Sequence, residues 1–215
     1  MRFHEQQGDL FGAEAESPAT VTPAGFRYWP DVITPEAEAG LAAQLETLPF
    51  TPYAFRGYLA NRRVVGFGAR YDDASRVIAA AEPIPDWLRP LQARIARLAG
   101  LAPEAFATAL INEYAPGAGI GWHRDRPQFG RVAGVSLLSP CVLRLRRRAG
   151  AGWERVAAPL APRSAYLLSG PARHAWQHSI TPGEALRYSI TFRTLAADRA
   201  AASGASRVDD RAFGP

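Results

Sequence analysis

The stretch from Asn112 to Pro127, NEYAPGAGIGWHRDRP, places a histidine two residues before an aspartate, directly after a loop rich in glycine and proline. The chain has only four histidines, so the spacing of His123 and Asp125 raises the question of metal chemistry. In a β-strand, residues i and i+2 point to the same face, so we expect both side chains to face one ligand. We interpret His123 and Asp125 as two ligands of a reactive metal ion.

A third ligand must come from the remaining histidines, which are His4, His174 and His178. His4 falls in a terminal segment that we predict to be mobile. His174 and His178 are four residues apart and would share a strand face, about 13 Å from each other, so only one can reach the metal. Two histidines and a carboxylate form the facial triad of non-haem Fe(II) oxygenases. Zinc is the simpler alternative, but structural zinc sites prefer thiolates and four closed ligands.

Two more segments carry polar side chains at the i, i+2 spacing of one strand face. Asn112 and Tyr114 form the first pair. The second segment lies near the C-terminal end and consists of Arg187, Ser189, Thr191 and Arg193. Buried charges cost free energy unless they are paired, so arginines facing a barrel interior would require a ligand. Taken alone, Asn112 and Tyr114 would be an ordinary polar strand face.

The elements that must position these residues include two helices. Thr34 and Pro35 predict the start of the first, because threonine caps helices and proline suits the first helical position. The second is predicted from about Asp86 to Ala99, and Gly100 stops it.

Strands are predicted at Phe26–Trp29, in a hairpin over residues 53–72 that turns around Ala60 and Asn61, and in eight short segments after Thr108. These eight segments predict a sandwich or barrel with the helices packed outside.

Length and composition fit one domain. We predict mobile tails at residues 1–24 and 196–215 around a domain at 25–195. The absence of a long apolar run and of a secretory signal pattern, with a single cysteine, predicts a cytoplasmic protein without membrane association. We expect a monomer. The net charge of +5 favours anionic partners such as nucleic acid, although many non-binders share it.

From Phe26 to Leu195 the chain resembles the AlkB family of Fe(II)/2-oxoglutarate-dependent dioxygenases. The matching segments are NEYAPGAGIGWHRD, GVSLLSP, WQHSI and RYSITFR. The closing Arg-x-Asn-x-Thr-x-Arg signature of the family is matched except that Ser189 replaces the asparagine. The resemblance implies a mainly β (α+β) fold, with a double-stranded β-helix (jelly-roll) core and flanking N-terminal helices.

The resemblance also implies the site. The Fe(II) ligands and catalytic residues would be His123, Asp125 and His178, with His174 a neighbour near the rim. The cosubstrates would be 2-oxoglutarate and O2. The far carboxylate of 2-oxoglutarate would pair with Arg187, because the guanidinium fork binds carboxylates through two hydrogen bonds. The remaining implied cosubstrate contacts are Asn112, Tyr114, Ser189 and Arg193, and the serine shortens one hydrogen-bonding arm.

The implied reaction is oxidative dealkylation of alkylated bases in DNA or RNA, a repair-type activity. Residues 56–72 would form a substrate lid, with an ordinary exposed hairpin as an equal alternative. Some relatives carry a base-reading acid two residues after the metal-binding aspartate, where this chain has Pro127, so the substrate does not follow from the chemistry. A protein side-chain hydroxylase or demethylase is the alternative, and a non-catalytic nucleic-acid-binding module is a weaker one.

Two further segments, one basic and one near the N-terminus, are interpreted independently of the metal site. Arg144, Arg146 and Arg148 alternate along one strand, and a solvated strand face is favoured over a phosphate-binding stripe. Near the N-terminus, the segment QGDLF resembles the peptide by which bacterial proteins dock on the DNA sliding clamp. That contact would use Gln7, Asp9, Leu10 and Phe11, with the leucine and phenylalanine anchored in an apolar pocket.

Overall fold

The computed structural model of the protein describes residues 22–55, 58–71, 78–80 and 82–196. The predicted clamp segment, His4 and nearly all of the two predicted tails lie outside these ranges. In chain order the elements are β1 (Phe26–Trp29), α1 (Pro35–Glu46), β2 (Thr51–Phe55), β3 (Tyr58–Tyr71), β4 (Ile78–Ala80), α2 (Arg89–Ala99), β5 (Phe106–Tyr114), β6 (Ile120–His123), β7 (Phe129–Leu137), β8 (Cys141–Ala149), β9 (Gly152–Leu160), β10 (Ala165–Leu168), α3 (Gly170–His174), β11 (Gln177–Ile180) and β12 (Arg187–Leu195).

The strands form two antiparallel sheets. The major sheet has the order β1-β10-β7-β12-β5-β3-β2, with β4 paired to β3, and the minor sheet has the order β6-β11-β8-β9. Neighbours that are distant in sequence, such as β5 and β12, arise because the chain crosses repeatedly between the sheets. This mainly β architecture with few helices fits a jelly-roll core and confirms the predicted fold class.

The predicted start of α1 and the predicted end of α2 are confirmed, whereas α2 begins at Arg89, after a 3-10 turn at Asp86–Leu88, instead of at about Asp86. Thr34 caps α1 by accepting a hydrogen bond from the Ala37 amide at 3.2 Å, and proline occupies the first turn. Gly100 ends α2 in the left-handed conformation with φ of 66°. Both helices cover the outer face of the major sheet, where Leu45 of α1 and Ile95 of α2 are fully buried.

Alternation along β12 divides the molecule into an apolar layer and a polar interior. Ile190 and Phe192 point to the side of the major sheet that the helices cover, and they pack in the apolar core there. The intervening residues point toward the minor sheet and are also buried: Arg187, Ser189, Thr191 and Arg193. A second apolar cluster closes the space between the sheets, with Leu143 and Leu145 of β8 opposing Tyr166 and Leu168 of β10. The polar row therefore lies inside the protein, where its charges need partners.

The predicted turn of the hairpin was wrong. Ala60 and Asn61 lie inside β3, and β2 pairs with β3 as far as Phe55 and Tyr58. The position of β3 is fixed by its long pairing with β5 from Arg63 to Gly68, which local turn propensity does not reveal. Within the described ranges, no helix is long and apolar enough to cross a bilayer.

Candidate metal centre and cosubstrate pocket

Two neighbouring strands of the minor sheet bring the histidines together. His123 at the end of β6 pairs with His178 of β11 in the antiparallel register, and their ring centroids are 4.2 Å apart. Directly opposed residues share a sheet face, so both imidazoles point into the interior. The histidine that is distant in sequence thus lies beside the first one.

The carboxylate joins this pair from a loop, which corrects the predicted strand geometry. β6 ends at His123, so Asp125 follows the strand and its side chain is placed by the loop instead of by strand alternation. The Asp125 Oδ2 atom is 3.7 Å from His178 Nε2. Possible ligand atoms of all three residues lie within 4.8 Å of one another. Their donor set of two imidazoles and one carboxylate fits Fe(II).

Electrostatics keep this cluster in the state that binds a metal. Burial, reinforced by the nearby His123, lowers the pKa of His178 to about 4, so the imidazole is neutral at pH 7. Burial alone would raise the pKa of Asp125, but Arg193 and the two histidines hold it well below its usual range. A neutral imidazole and an ionised carboxylate are the forms in which these groups bind metal.

Hydrogen bonds outside the cluster orient its members. His123 Nδ1 lies 2.9 Å from the Gly121 carbonyl, which favours a proton on Nδ1 and leaves Nε2 for a metal. Arg193 donates from Nη2 to Asp125 Oδ1 at 3.2 Å. The buried Arg173 of α3 donates to the carbonyls of Arg126, Phe129 and Gly130, and so fixes the loop that carries the aspartate.

Arg187 has the features of a buried anion site. Its Nε donates to Ser136 Oγ at 3.0 Å, and its guanidinium carbon lies 5.1 Å from the centre of the Tyr114 ring. Within the part of the chain that the structure describes, neither Nη atom has a hydrogen-bond partner. A buried cation without a counter-ion is strongly unfavourable, whereas a carboxylate could accept from both Nη atoms. The fork is therefore suited to one end of a dicarboxylate such as 2-oxoglutarate.

Tyr114 links this anion site to the metal cluster. It lines both a cleft of about 1130 Å³ that contains His123, Asp125 and His178 and a smaller cavity of about 310 Å³ that contains Arg187. Burial raises the pKa of Tyr114, so its hydroxyl stays protonated.

Two further predicted cosubstrate residues, Asn112 and Ser189, lie in the interior. Asn112 and Ser189 oppose each other in the pairing of β5 with β12, and both are buried. The Asn112 Oδ1 atom accepts a hydrogen bond from Arg62 Nε at 3.2 Å, which the sequence did not suggest. Arg62 comes from β3 and stacks on Tyr53 with its guanidinium carbon 4.1 Å from the ring centre.

His174 does not share a strand with His178. It is the exposed last residue of α3, a helix that begins after Ser169 with a proline in its first turn. The Ser-Gly-Pro sequence was the local signal for this helix start. The predicted spacing along one strand was therefore wrong, and Pro127 is exposed on the loop after the aspartate.

Three interior residues were missed in the sequence: Arg62, Ser136 and Tyr166. The ring of Tyr166 lies so close to Gly134 that a Cβ on that glycine would be 2.4 Å from ring atoms. The glycine in VAGVSLL was thus a signal of close approach, although nothing in the sequence named the approaching ring.

Comparisons with known proteins agree with this geometry. A sequence profile of the 2OG-Fe(II) oxygenase superfamily matches residues 25–193. The chain belongs to this superfamily and is AlkB-like within it, which makes it a dioxygenase that uses Fe(II), 2-oxoglutarate and O2.

Among individual proteins, the chain is 27% identical over 180 residues to an "Alkylated DNA repair protein ALKBH8 homolog" of Arabidopsis thaliana, covering 73% of this chain and 50% of that protein. It is 32% identical over 114 residues to a "Probable RNA/DNA demethylase ALKBH6" of Danio rerio, covering 53% of this chain and 44% of that protein. The chain thus spans half or less of the length of these relatives.

The solved structure of OsALKBH1 superposes with a TM-score of 0.61 at 14% identity, covering 81% of this chain and 99% of that one. At this identity the likeness concerns the fold alone.

Proposed function

We propose that the protein removes alkyl groups from nitrogen atoms of bases in DNA or RNA by oxidation, as part of nucleic-acid repair in the cytoplasm. The observation that carries this proposal is the cluster of His123, Asp125 and His178 on the wall of a cleft of about 1130 Å³. That cleft is large enough for an unpaired base, and Arg62 and Phe129 offer it a cation and an aromatic face. The names of the plant and fish relatives support the same substrate class.

In this proposal, His123, Asp125 and His178 hold the metal, and Arg187 binds the far carboxylate of 2-oxoglutarate. A bound ferrous ion supplies the redox chemistry by which O2 and 2-oxoglutarate become succinate and CO2 while one oxygen atom enters a C–H bond of the alkyl group. The hydroxylated N-alkyl product loses an aldehyde, and the base keeps a proton in place of the alkyl group. The chain's own contribution is to orient both substrates and to keep Asp125 ionised through Arg193.

The test compares substrates at equal concentration. Purified protein with Fe(II) and 2-oxoglutarate receives N-methylated single-stranded oligonucleotides, matched unmethylated ones, or methylated peptides. We expect formaldehyde and succinate in equal amounts from the methylated oligonucleotides. Formaldehyde from the peptides alone would establish the protein side-chain demethylase in its place.

The domain organisation belongs to the same proposal. We propose residues 25–195 as the catalytic domain, acting as a monomer. The sliding-clamp contact through Gln7, Asp9, Leu10 and Phe11 stays a prediction, and a clamp pull-down with Leu10→Ala and Phe11→Ala together tests it. Binding equal to that of the unchanged protein would rule the contact out.

A further inference from the structure

The outer face of the minor sheet carries a group of arginines and tryptophans that the metal chemistry does not use. These residues alternate with the interior ones, so they point away from His178 and its neighbours. We call this surface the arginine–tryptophan face, and its members are Trp122 of β6, Arg144, Arg146 and Arg148 of β8, and Trp153 and Arg155 of β9.

Strand register places like charges directly opposite each other on this face. Arg146 opposes Arg155 in the pairing of β8 with β9, and the next pair on the same face is Arg148 with Trp153. Like charges directly opposed in an antiparallel pair destabilise the sheet. The pKa of Arg146 is lowered by desolvation and by the charges of Arg155 and Arg144, which shows that this face concentrates positive charge.

The tryptophans hold the guanidinium groups in place. The Arg146 guanidinium carbon lies 4.3 Å from the Trp122 ring centre and 4.2 Å from that of Trp153, so it is enclosed between two indoles. Arg144 lies 5.1 Å from Trp122, and Arg148 lies 4.9 Å from Trp153. Stacked cations and planar rings thus alternate across the sheet.

No carboxylate among the described residues neutralises these arginines. Arg144 donates to the hydroxyl of Ser179 and Arg146 to the amide oxygen of Gln177, both neutral partners on β11. By contrast, Arg147 on the opposite face pairs with Glu154 at 2.6 Å. The outer face therefore combines two aromatic rings with four positive charges that no described carboxylate compensates, and an extended polyanion with flat groups complements it.

We propose that the arginine–tryptophan face binds a single-stranded stretch of nucleic acid beside the base that enters the cleft. Arg148 and Arg155, which are exposed, contact the phosphates, and the partly exposed indoles stack with bases. Trp122 precedes His123 and also borders the cleft, so the arginine–tryptophan face adjoins the entrance through which the base would pass. The identity of the strand as substrate rests on the proposed function, while its binding does not.

A membrane surface is the less fitting partner for the same charge. Membrane-binding faces insert apolar side chains into lipid, whereas these indoles lie flat against guanidinium groups. The remaining outward positions of β9 and β11 near them are short or polar, such as Ala157, Gln177 and Ser179.

The first experiment measures binding of a fluorescent, unmethylated 16-nucleotide DNA across salt concentrations. In Arg148→Gln with Arg155→Gln, we expect about tenfold weaker binding and a salt slope shallower by about 1.4, because two phosphate contacts are lost. The matched control is Arg94→Gln with Arg97→Gln, which removes two exposed charges from α2, beyond the major sheet. We expect the control to weaken binding less than twofold.

A second variant separates stacking from charge. Trp153→Leu should weaken binding about fivefold or more without changing the salt slope, because it removes an aromatic platform and no charge. Thermal melts confirm that each variant is folded at the assay temperature. Equal losses in the control and in the face variants, or no loss in either face variant, would overturn the proposal. So would binding of phosphatidylserine vesicles that depends on Arg148 and Arg155 when the oligonucleotide does not bind.

Activity assays distinguish this inference from the proposed function. If methylated oligonucleotides are demethylated and Arg148→Gln with Arg155→Gln leaves kcat/KM unchanged, the docking face is wrong while the function stands. If oligonucleotides bind through the face but release no formaldehyde, the proposed function is wrong while the face stands. When both hold, the variant raises KM for the oligonucleotide and leaves KM for 2-oxoglutarate unchanged.

Discussion

Two strands of this protein carry arginines separated by even numbers of residues, and they use them in opposite ways. On β12, Arg187 and Arg193 point into the space between the sheets and are buried. On β8, Arg144 and Arg146 point away from that space and rest on tryptophans. Even spacing along a strand therefore produces an interior row of buried charges on β12 and an exterior row with distributed positive charge on β8.

The partners explain the difference. Arg193 is bonded to the carboxylate of Asp125, whereas both Nη atoms of Arg187 lack a partner among the described residues and could donate to a further carboxylate. The exterior arginines have neutral hydrogen-bond acceptors and aromatic neighbours, which fix their position without cancelling their charge. A buried arginine can bind a single carboxylate with defined geometry, whereas arginines exposed beside aromatic rings suit binding of nucleic acid without sequence preference.

Substitution of a metal ligand should have the largest effect, because it should abolish turnover in the interior without affecting nucleic-acid binding on the exterior. His178→Ala or Asp125→Ala should reduce succinate formation about a thousandfold or more, because the ion then loses one of three protein ligands. The affinity of the arginine–tryptophan face for an unmethylated oligonucleotide should stay within twofold of that of the unchanged protein. Mn(II) titration by calorimetry supplies a second readout, and retained tight Mn(II) binding in either variant would contradict the assigned ligand set.

The next largest effect concerns the interior row itself. Arg187→Ala should raise KM for 2-oxoglutarate about 10- to 150-fold, the loss expected for hydrogen bonds to a charged group. Arg187→Lys keeps the charge without the fork and should recover part of the loss. Arg148→Gln is the matched change in the exterior row and should leave this KM unaltered. An unchanged KM in Arg187→Ala would move the cosubstrate away from that arginine.

A smaller effect is expected for Arg62 of β3, which lines the cleft that contains the metal cluster. Arg62→Ala removes the bond to Asn112 and the cation over Tyr53, so we expect a loss of about 3- to 10-fold in kcat/KM for methylated oligonucleotides. The neighbouring Arg63 points to the other face and pairs with Glu113, so Arg63→Ala is its control. Equal losses in both variants would show that Arg62 acts through stability alone.

Local signals predicted the parts of this molecule that local physics determines. The caps at Thr34 and Gly100 follow from side-chain and backbone preferences within one turn, and α1 begins and α2 ends where these residues predict. The His123–Asp125 spacing pointed to the cluster, although Asp125 reaches it from a loop. The prediction therefore named the right residues, but the strand alternation from which it was argued does not place Asp125.

Long-range register determined what could not be predicted. Arg62 reaches Asn112 only because β3 pairs with β5, and this pairing joins residues 50 positions apart. Likewise, Arg144 and Arg146 were interpreted as a solvated face, but Trp122 comes from a strand two positions away in the minor sheet and covers them in part. Neither contact leaves a periodic signal in the chain.

The smallest effects concern stability, and they should have opposite signs in the two rows. Arg187→Met replaces a buried charge that has no counter-ion among the described residues with an apolar side chain, so the free energy of unfolding of the cosubstrate-free protein should rise by about 1 kcal/mol. Arg146→Gln loses the stacking contacts with Trp122 and Trp153, and the free energy of unfolding should fall. Urea titrations measure both.

Added 2-oxoglutarate should then stabilise the unchanged protein and Arg146→Gln but not Arg187→Met, because only the latter has lost the carboxylate site. A fall in stability for both variants before ligand addition would mean that Arg187 has a structural partner in the folded chain. The interior and exterior rows would then differ in exposure alone and not in what they bind.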